Sequence, residues 1–280
     1  MKIIDAHVHF SKVAAFEACA TSTSKVDYSL YGYIEEAGQS EVVSSVCMGL
    51  TESAPCAFPD TTAATPMLAN MSAQLPPGMS LCLGINPYTL DSRGIAEIEE
   101  LVSHRAGVVG IKIYAGYYHV DVSSPVYEPV YQLASRHDLA VAIHSGDTYS
   151  SRSLLKYAHP LCIDELAVTH PMLRIVICHM GAPWVFDACE VAVKNPNVYI
   201  DLSGILVGSA SDFGISKEVP LMVDRCRQAL IYLDDYDKVL FGTDWPLAPM
   251  GAYIGFVKQL VPPDAYERVF YRNAARVYKL

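Results

Sequence analysis

No stretch of this 280-residue chain is apolar for long enough to span a bilayer, which excludes a transmembrane helix of the usual kind. Positive charge is scarce as well. Twenty Lys and Arg stand against thirty Asp and Glu, a formal net charge of −10, so broad electrostatic binding to nucleic acid or to an anionic membrane surface is not expected. The eight cysteines include no Cys-x-x-Cys pair, and Cys47, Cys82 and Cys178 sit inside apolar segments, where a free thiol behaves as a small hydrophobe. Reduced thiols are therefore expected, with no disulfide framework and no cysteine zinc site. The first apolar run is followed by Phe10-Ser11-Lys12-Val13-Ala14-Ala15, which lacks the glycines of a phosphate-binding loop and argues against a doubly wound dinucleotide fold. Domain linkers, internal repeats and low-complexity tracts are also missing, so residues 1–280 read as one domain. The first strand starts at Lys2 and His7 already reads as functional, which leaves no room for a cleavable signal and makes a cytoplasmic location the expectation.

What remains is a chain that is 51% hydrophobic and 18% charged, enough to bury a substantial core. Eight short runs rich in Val, Ile and Leu, at 2–9, 41–48, 80–85, 108–114, 140–144, 174–179, 197–201 and 238–241, read as strands. Their apolar character is continuous, as in strands covered on both faces. Helical patterns lie between them at 61–74, 94–104, 125–136, 184–194, 219–233 and 252–260, and a last amphipathic segment covers 264–278. Strand and helix alternating at about one eighth of the chain length predict an α/β fold, a single (β/α)₈ TIM barrel.

In such a barrel the C-terminal ends of the strands converge on one mouth. His7 and His9, two apart on the first strand, point to the same face. Strand four supplies Lys112 and Tyr114, strand five ends at His144, strand six at His179, strand seven at Asp201, and strand eight runs into Asp244. Any one of these could be a capped polar residue. Four imidazoles, an amine and a carboxylate at a common mouth would desolvate one another badly without a cation. Three histidines and an aspartate suit Zn²⁺ or a similar divalent ion with a position left open for water. His104, His137 and His170 fall at helix ends, where surface or capping roles suffice, and His119 and His159 fall in loops after strands four and five.

The pattern resembles the amidohydrolase superfamily residue by residue from Ile3 to Tyr278, through His7-x-His9, Lys112, His144, His179 and Asp244. The phrases Ile143-His144-Ser145-Gly146, His179-Met180-Gly181, Gly242-Thr243-Asp244-Trp245-Pro246 and Asn273-Ala274-Ala275-Arg276 are similar to its amidohydrolase-related branch, which includes lactonases, other hydrolases and decarboxylases related to aminocarboxymuconate-semialdehyde decarboxylase. The resemblance implies one divalent metal, with Zn²⁺ the expected ion, held by His7, His9, His144 and Asp244 at the C-terminal mouth. It leaves His179 as the acid/base or electrophile beside the metal water. Lys112 keeps a binuclear alternative open, because in dihydroorotase-like members a carboxylated strand-four lysine bridges two metals.

Two activities follow. The first is hydrolysis of a small lactone, ester or amide by a metal-activated water whose proton Asp244 accepts while His179 polarises the substrate. The alternative is non-oxidative decarboxylation of an unsaturated or aromatic acid. A non-catalytic metal-binding barrel ranks last, since Asp244 and His179 are both present. Of these, the phrase around Asp244 is more similar to the hydrolase-like members. Lys112, Tyr114, Tyr118 and Arg152 are expected to bind substrate, with Arg152 suited to a carboxylate or phosphate. The expected partner is a small molecule, with an anionic one within reach of Lys112, and the chain is expected to form a homo-oligomer.

Overall fold

The computed structural model of the chain describes residues 1–104 and 107–280. Eight strands, Ile3–Val8 (β1), Val42–Met48 (β2), Met79–Ile85 (β3), Val108–Ile113 (β4), Ala140–Ile143 (β5), Arg174–Ile177 (β6), Val198–Asp201 (β7) and Val239–Leu240 (β8), form one parallel sheet in chain order. The sheet closes on itself at the seam between β8 and β1. There Ala6 N donates to Phe241 O (2.9 Å), Asp244 N to His7 O (2.8 Å) and His9 N to Trp245 O (2.7 Å). This short parallel ladder, continued beyond the end of β8, brings Asp244 level with His7 and His9.

The sheet alternates as its sequence predicts. Val141, Ile143, Ile175, Ile177 and Ile200 pack outward with the helices in the main core. Cys82, Ala140, Ala142, Val176 and Leu240 turn inward and meet one another in the barrel interior, where Tyr278 of the C-terminal helix Asn273–Tyr278 joins them. All eight cysteines are free, and most are buried.

Several expected elements shift. The helix expected at 61–74 does not form. Asp60 accepts from Ser53 N and Thr62 N to fix tight turns, Pro66 interrupts the segment, and Met67 instead exchanges backbone hydrogen bonds with Gly84 (2.7 and 2.9 Å). The spacing of apolar residues there reflects packing beside β3 and not a helical face. Helices at Ala14–Cys19 and Leu30–Gln39 precede β2; the second is capped by Ser29 Oγ, which accepts from Gly32 N (3.0 Å). Helices Leu155–Ala158 and Cys162–Thr169 also follow β5, where the sequence pattern predicts none. The last segment is broken into short helical pieces, a 3₁₀ turn at Pro263–Ala265, a π-helical turn at Arg268–Arg272 and the α-helix Asn273–Tyr278. β6 stops at Ile177, short of the expected 179, because His179 and Met180 take φ of 59° and 50°. No helix among the described residues is long and apolar enough to cross a membrane.

Candidate metal centre

At the mouth, donor atoms of His7, His9 and Asp244 lie within 4.8 Å of one another, all three residues buried. Asp244 Oδ1 is 3.1 Å from His9 Nε2 and 3.4 Å from His7 Nε2, while Oδ2 is 3.8 Å from His179 Nδ1. Asp244 Oδ1 and His9 Nδ1 are buried without a hydrogen-bond partner. An orphaned carboxylate oxygen is costly in a folded interior, and here Asp244 Oδ1 faces a donor set suited to a divalent cation. The residues fit such an ion.

The surrounding structure orients these donors. His7 Nδ1 donates to Asp201 Oδ2 (2.6 Å), which leaves Nε2 as the free lone pair facing Asp244. Asp201 itself is saturated, since Ser203 N (2.7 Å) and Ser203 Oγ (2.9 Å) also donate to it. A second grouping, His7, Cys178 and Asp201, therefore consists of atoms already engaged with protein partners. His144 Nε2 donates to Asp147 O (2.9 Å), so Nδ1 carries its free lone pair. His179 Nδ1 donates to Ser203 O (3.1 Å), leaving Nε2 as an acceptor.

Two glycines and two strained residues make the approach close. A Cβ on Gly204 would stand 2.6 Å from both Asp244 Oδ2 and His179 Nδ1, and one on Gly242 would stand 2.8 Å from Asp201 Oδ1. His179 (φ 59°) and Asp244 (φ 63°) occupy the left-handed region that non-glycine residues rarely adopt. Asp5 braces the second of these: Thr243 N (2.9 Å) and Thr243 Oγ1 (2.6 Å) donate to its carboxylate, as does His7 N (3.2 Å).

Burial sets the charges. Burial and then Lys112 hold the His7 imidazole well below its usual range, and burial, His179 and Lys112 do the same to His144. Burial brings His179 down to about 4 against the pull of Asp244. Burial alone would raise the Asp244 carboxyl, but His7, His179 and His9 outweigh it and hold the group far below the usual carboxylate range. Asp5 is pushed up to about 7 and Asp201 to about 6, both by burial. At neutral pH the imidazoles of His7, His144 and His179 are thus neutral beside an ionised Asp244, the state in which such groups ligate metals.

A cavity opens onto this floor. His9, His144, His179, Asp244, Lys112 and Tyr114 all line it. His144 belongs to the ring of imidazoles, its centroid 4.9 Å from that of His179, but it stands outside the tight group of three. Lys112 Nζ lies 3.0 Å from Cys178 Sγ and 3.5 Å from His7 Nε2, with no carboxylate in ion-pair range among the described residues. Two expected substrate contacts lie elsewhere. Tyr118 is fully buried away from the cavity, its hydroxyl directed to Asp60 O (3.3 Å) and Met67 Sδ. The Arg152 guanidinium donates to the carbonyls of Ala57 (3.0 Å) and Phe58 and ties down the loop after β2. Asp201 and the aromatic wall residues Phe16 and Phe58 were not assigned roles from sequence. Asp201 carried a signal, a carboxylate at a strand end, whereas Phe16 and Phe58 carried none.

A profile of the amidohydrolase family matches residues 4–280, and the chain belongs to that family. No curated protein matches it. Among solved structures it is similar to an uncharacterised TIM-barrel protein from Bordetella bronchiseptica, with TM-score 0.71 and 18% identity over 99% of this chain and 98% of the other. It is also similar to 5-carboxyvanillate decarboxylase from Sphingomonas paucimobilis, with TM-score 0.65 and 17% identity over 100% and 99%. A probable 2-pyrone-4,6-dicarboxylic acid hydrolase from Acinetobacter baumannii, bound to citric acid, gives TM-score 0.67 and 16% identity over the whole of both chains. At these identities the likeness establishes the shared barrel.

Proposed function

We propose that the protein is a metal-dependent hydrolase of a small carbonyl compound, a lactone, ester or amide, with one divalent ion, Zn²⁺ in the first instance, held by His7, His9, His144 and Asp244. The observation that carries this reading is the buried, unpartnered Asp244 Oδ1 set among the imidazoles of His7 and His9 at the floor of the cavity. A divalent ion bound there supplies Lewis acidity and lowers the pKa of a coordinated water to about 7. Asp244, held ionised, takes a proton through Oδ2, the oxygen turned toward His179. His179 presents Nε2 to the cavity while the Ser203 carbonyl fixes its tautomer, so it accepts or relays a proton at that atom. Lys112 offers the cavity's cationic side chain to an anionic or polarised oxygen of the substrate.

Non-oxidative decarboxylation is the second reading. It draws support from the aromatic wall, which suits a flat unsaturated acid, and from the decarboxylase among the similar structures. Product analysis separates the two. Metal-loaded protein is offered a panel of lactones, amides and unsaturated acids, with carbon dioxide and acid release followed together. Acid release without carbon dioxide is expected. Carbon dioxide released in step with substrate loss would overturn hydrolysis in favour of the second reading.

A further inference from the structure

The cavity is ionic at one end and apolar at the other. Its floor is built from strand ends and holds Lys112, Asp244 and the imidazoles; its walls come from the helix Ala14–Cys19 and from loops and present Phe16, Leu50, Phe58 and Leu247. Lys112 is the only lysine or arginine among the lining residues described. Of the wall hydroxyls, Tyr114 donates to Gly49 O (2.8 Å) and Tyr117 accepts from Tyr149 N (3.0 Å), which leaves neutral O–H donors on Tyr117 and Tyr149 but no second cation. The aromatic rings form a continuous apolar surface, with Phe16 4.3 Å from the His9 ring and Phe58 4.7 Å from Tyr117. Arg152, three residues after Tyr149, donates to the Ala57 and Phe58 carbonyls and so holds Phe58 in place as wall.

From this asymmetry we infer the substrate class: a flat molecule with one anionic or polar carbonyl end, directed to the floor, and an uncharged, apolar far end. A second carboxylate would lie against Phe58 and Leu247 with no cation to pair with, so diacids bind more weakly than monoacids. The inference rests on the floor being the reacting end, as proposed above. It does not depend on whether the reaction is hydrolysis or decarboxylation.

The test is calorimetric binding of 4-methylbenzoate and benzene-1,4-dicarboxylate, which share a ring and differ at the far end, to protein whose metal content has been measured. The monoacid is expected to bind tighter by a factor on the order of 10². Equal affinities, tighter binding of the diacid, or no binding of either acid to fully metallated protein would overturn the substrate class while leaving the metal centre intact. Failure to take up metal would sink the metal centre alone, because the ratio of the two affinities still reports on the wall. Leu247→Arg adds a cation to the wall and should bring the diacid to within a few-fold of the monoacid. An unchanged ratio in a folded variant would overturn the wall assignment, and the wild-type ratio carries the test if the variant does not fold.

Discussion

The two ends of the barrel interior are built by the same strands under opposite rules. Toward the N-terminal end, inward positions carry Ile4, Val46, Cys82, Ala140 and Val176, and Tyr278 packs among them. Two residues past Ala142 the next inward position on that strand is His144; after Gly110 on β4 it is Lys112. Geometry is shared, since every inward side chain meets neighbours from the adjacent strands. Chemistry is not. The lower end minimises free energy by close apolar packing. The mouth accumulates buried polar groups whose cost is recovered only if something binds, and it keeps strained backbone at His179 and Asp244. Buried groups without partners therefore mean different things at the two ends.

The largest effect expected at the mouth comes from the ligands. His7→Ala combined with His144→Ala should leave purified protein without metal and without detectable turnover, as read by elemental analysis. Equal metal in the variant and the wild type would remove the four-ligand assignment. The same measurement on wild type separates one equivalent per chain, the expected result, from two, which would instead favour a carboxylated Lys112 bridging a binuclear centre.

His179 comes next. Its Nε2 is free while Nδ1 is held by Ser203, so His179→Asn should lower turnover by a factor on the order of 10² or more with metal retained. Loss of metal together with activity would make His179 a ligand. The same side chain has a signature in the metal-free protein. Its folded pKa is about 4, below the ordinary histidine value of 6.5, so the unfolded chain takes up the proton first. Its contribution to stability is therefore intact above about pH 6.5 and is lost as pH falls through about 4. Denaturant titrations of metal-free wild type and His179→Asn should diverge across that window, the wild type losing up to about 3 kcal/mol more. Parallel curves would show that the imidazole is not held neutral by burial.

Much of this was legible in the sequence, and the reasons are physical. Continuous apolar runs mark strands covered on both sides, and ionisable residues that end such runs are conspicuous because nothing in a packed core calls for them. The segment at 61–74 misled because apolar spacing alone cannot register that Asp60 and Thr62 close a turn and that Pro66 denies a helix its hydrogen bond. Arg152 misled because a guanidinium serves an anion or two carbonyls equally well, and only the fold decides which it meets. Asp201 ended its strand like the other site residues, yet only the 2.6 Å bond to His7 Nδ1 reveals that it orients a donor. From that bond, Asp201→Asn is expected to weaken metal binding about 10- to 100-fold without abolishing it. Unaltered affinity in a competition titration would show His7 to be held by Ser203 instead.

The smallest effect lies at the opposite end and sharpens the contrast most. Tyr278 is 1% exposed, and its hydroxyl is buried with no hydrogen-bond partner, as Asp244 Oδ1 is at the mouth. At the mouth the orphan faces histidines that can share a cation with it. Around Tyr278 the interior is Ile4, Val46, Cys82 and Val176, which offer nothing for a phenol to bind. Removing the oxygen there relieves a desolvation penalty without opening a void, so Tyr278→Phe should stabilise the protein by about 1 kcal/mol, about 2 °C in Tm, with metal content and turnover unchanged. Asp244→Asn removes the charge of the other orphan and should abolish turnover whatever it does to stability. If Tyr278→Phe instead destabilised the fold, its hydroxyl would have a partner in solution, most simply a buried water, and the lower end of the barrel would be polar at its centre. The two ends would then differ in what binds their polar groups and not in whether such groups are tolerated.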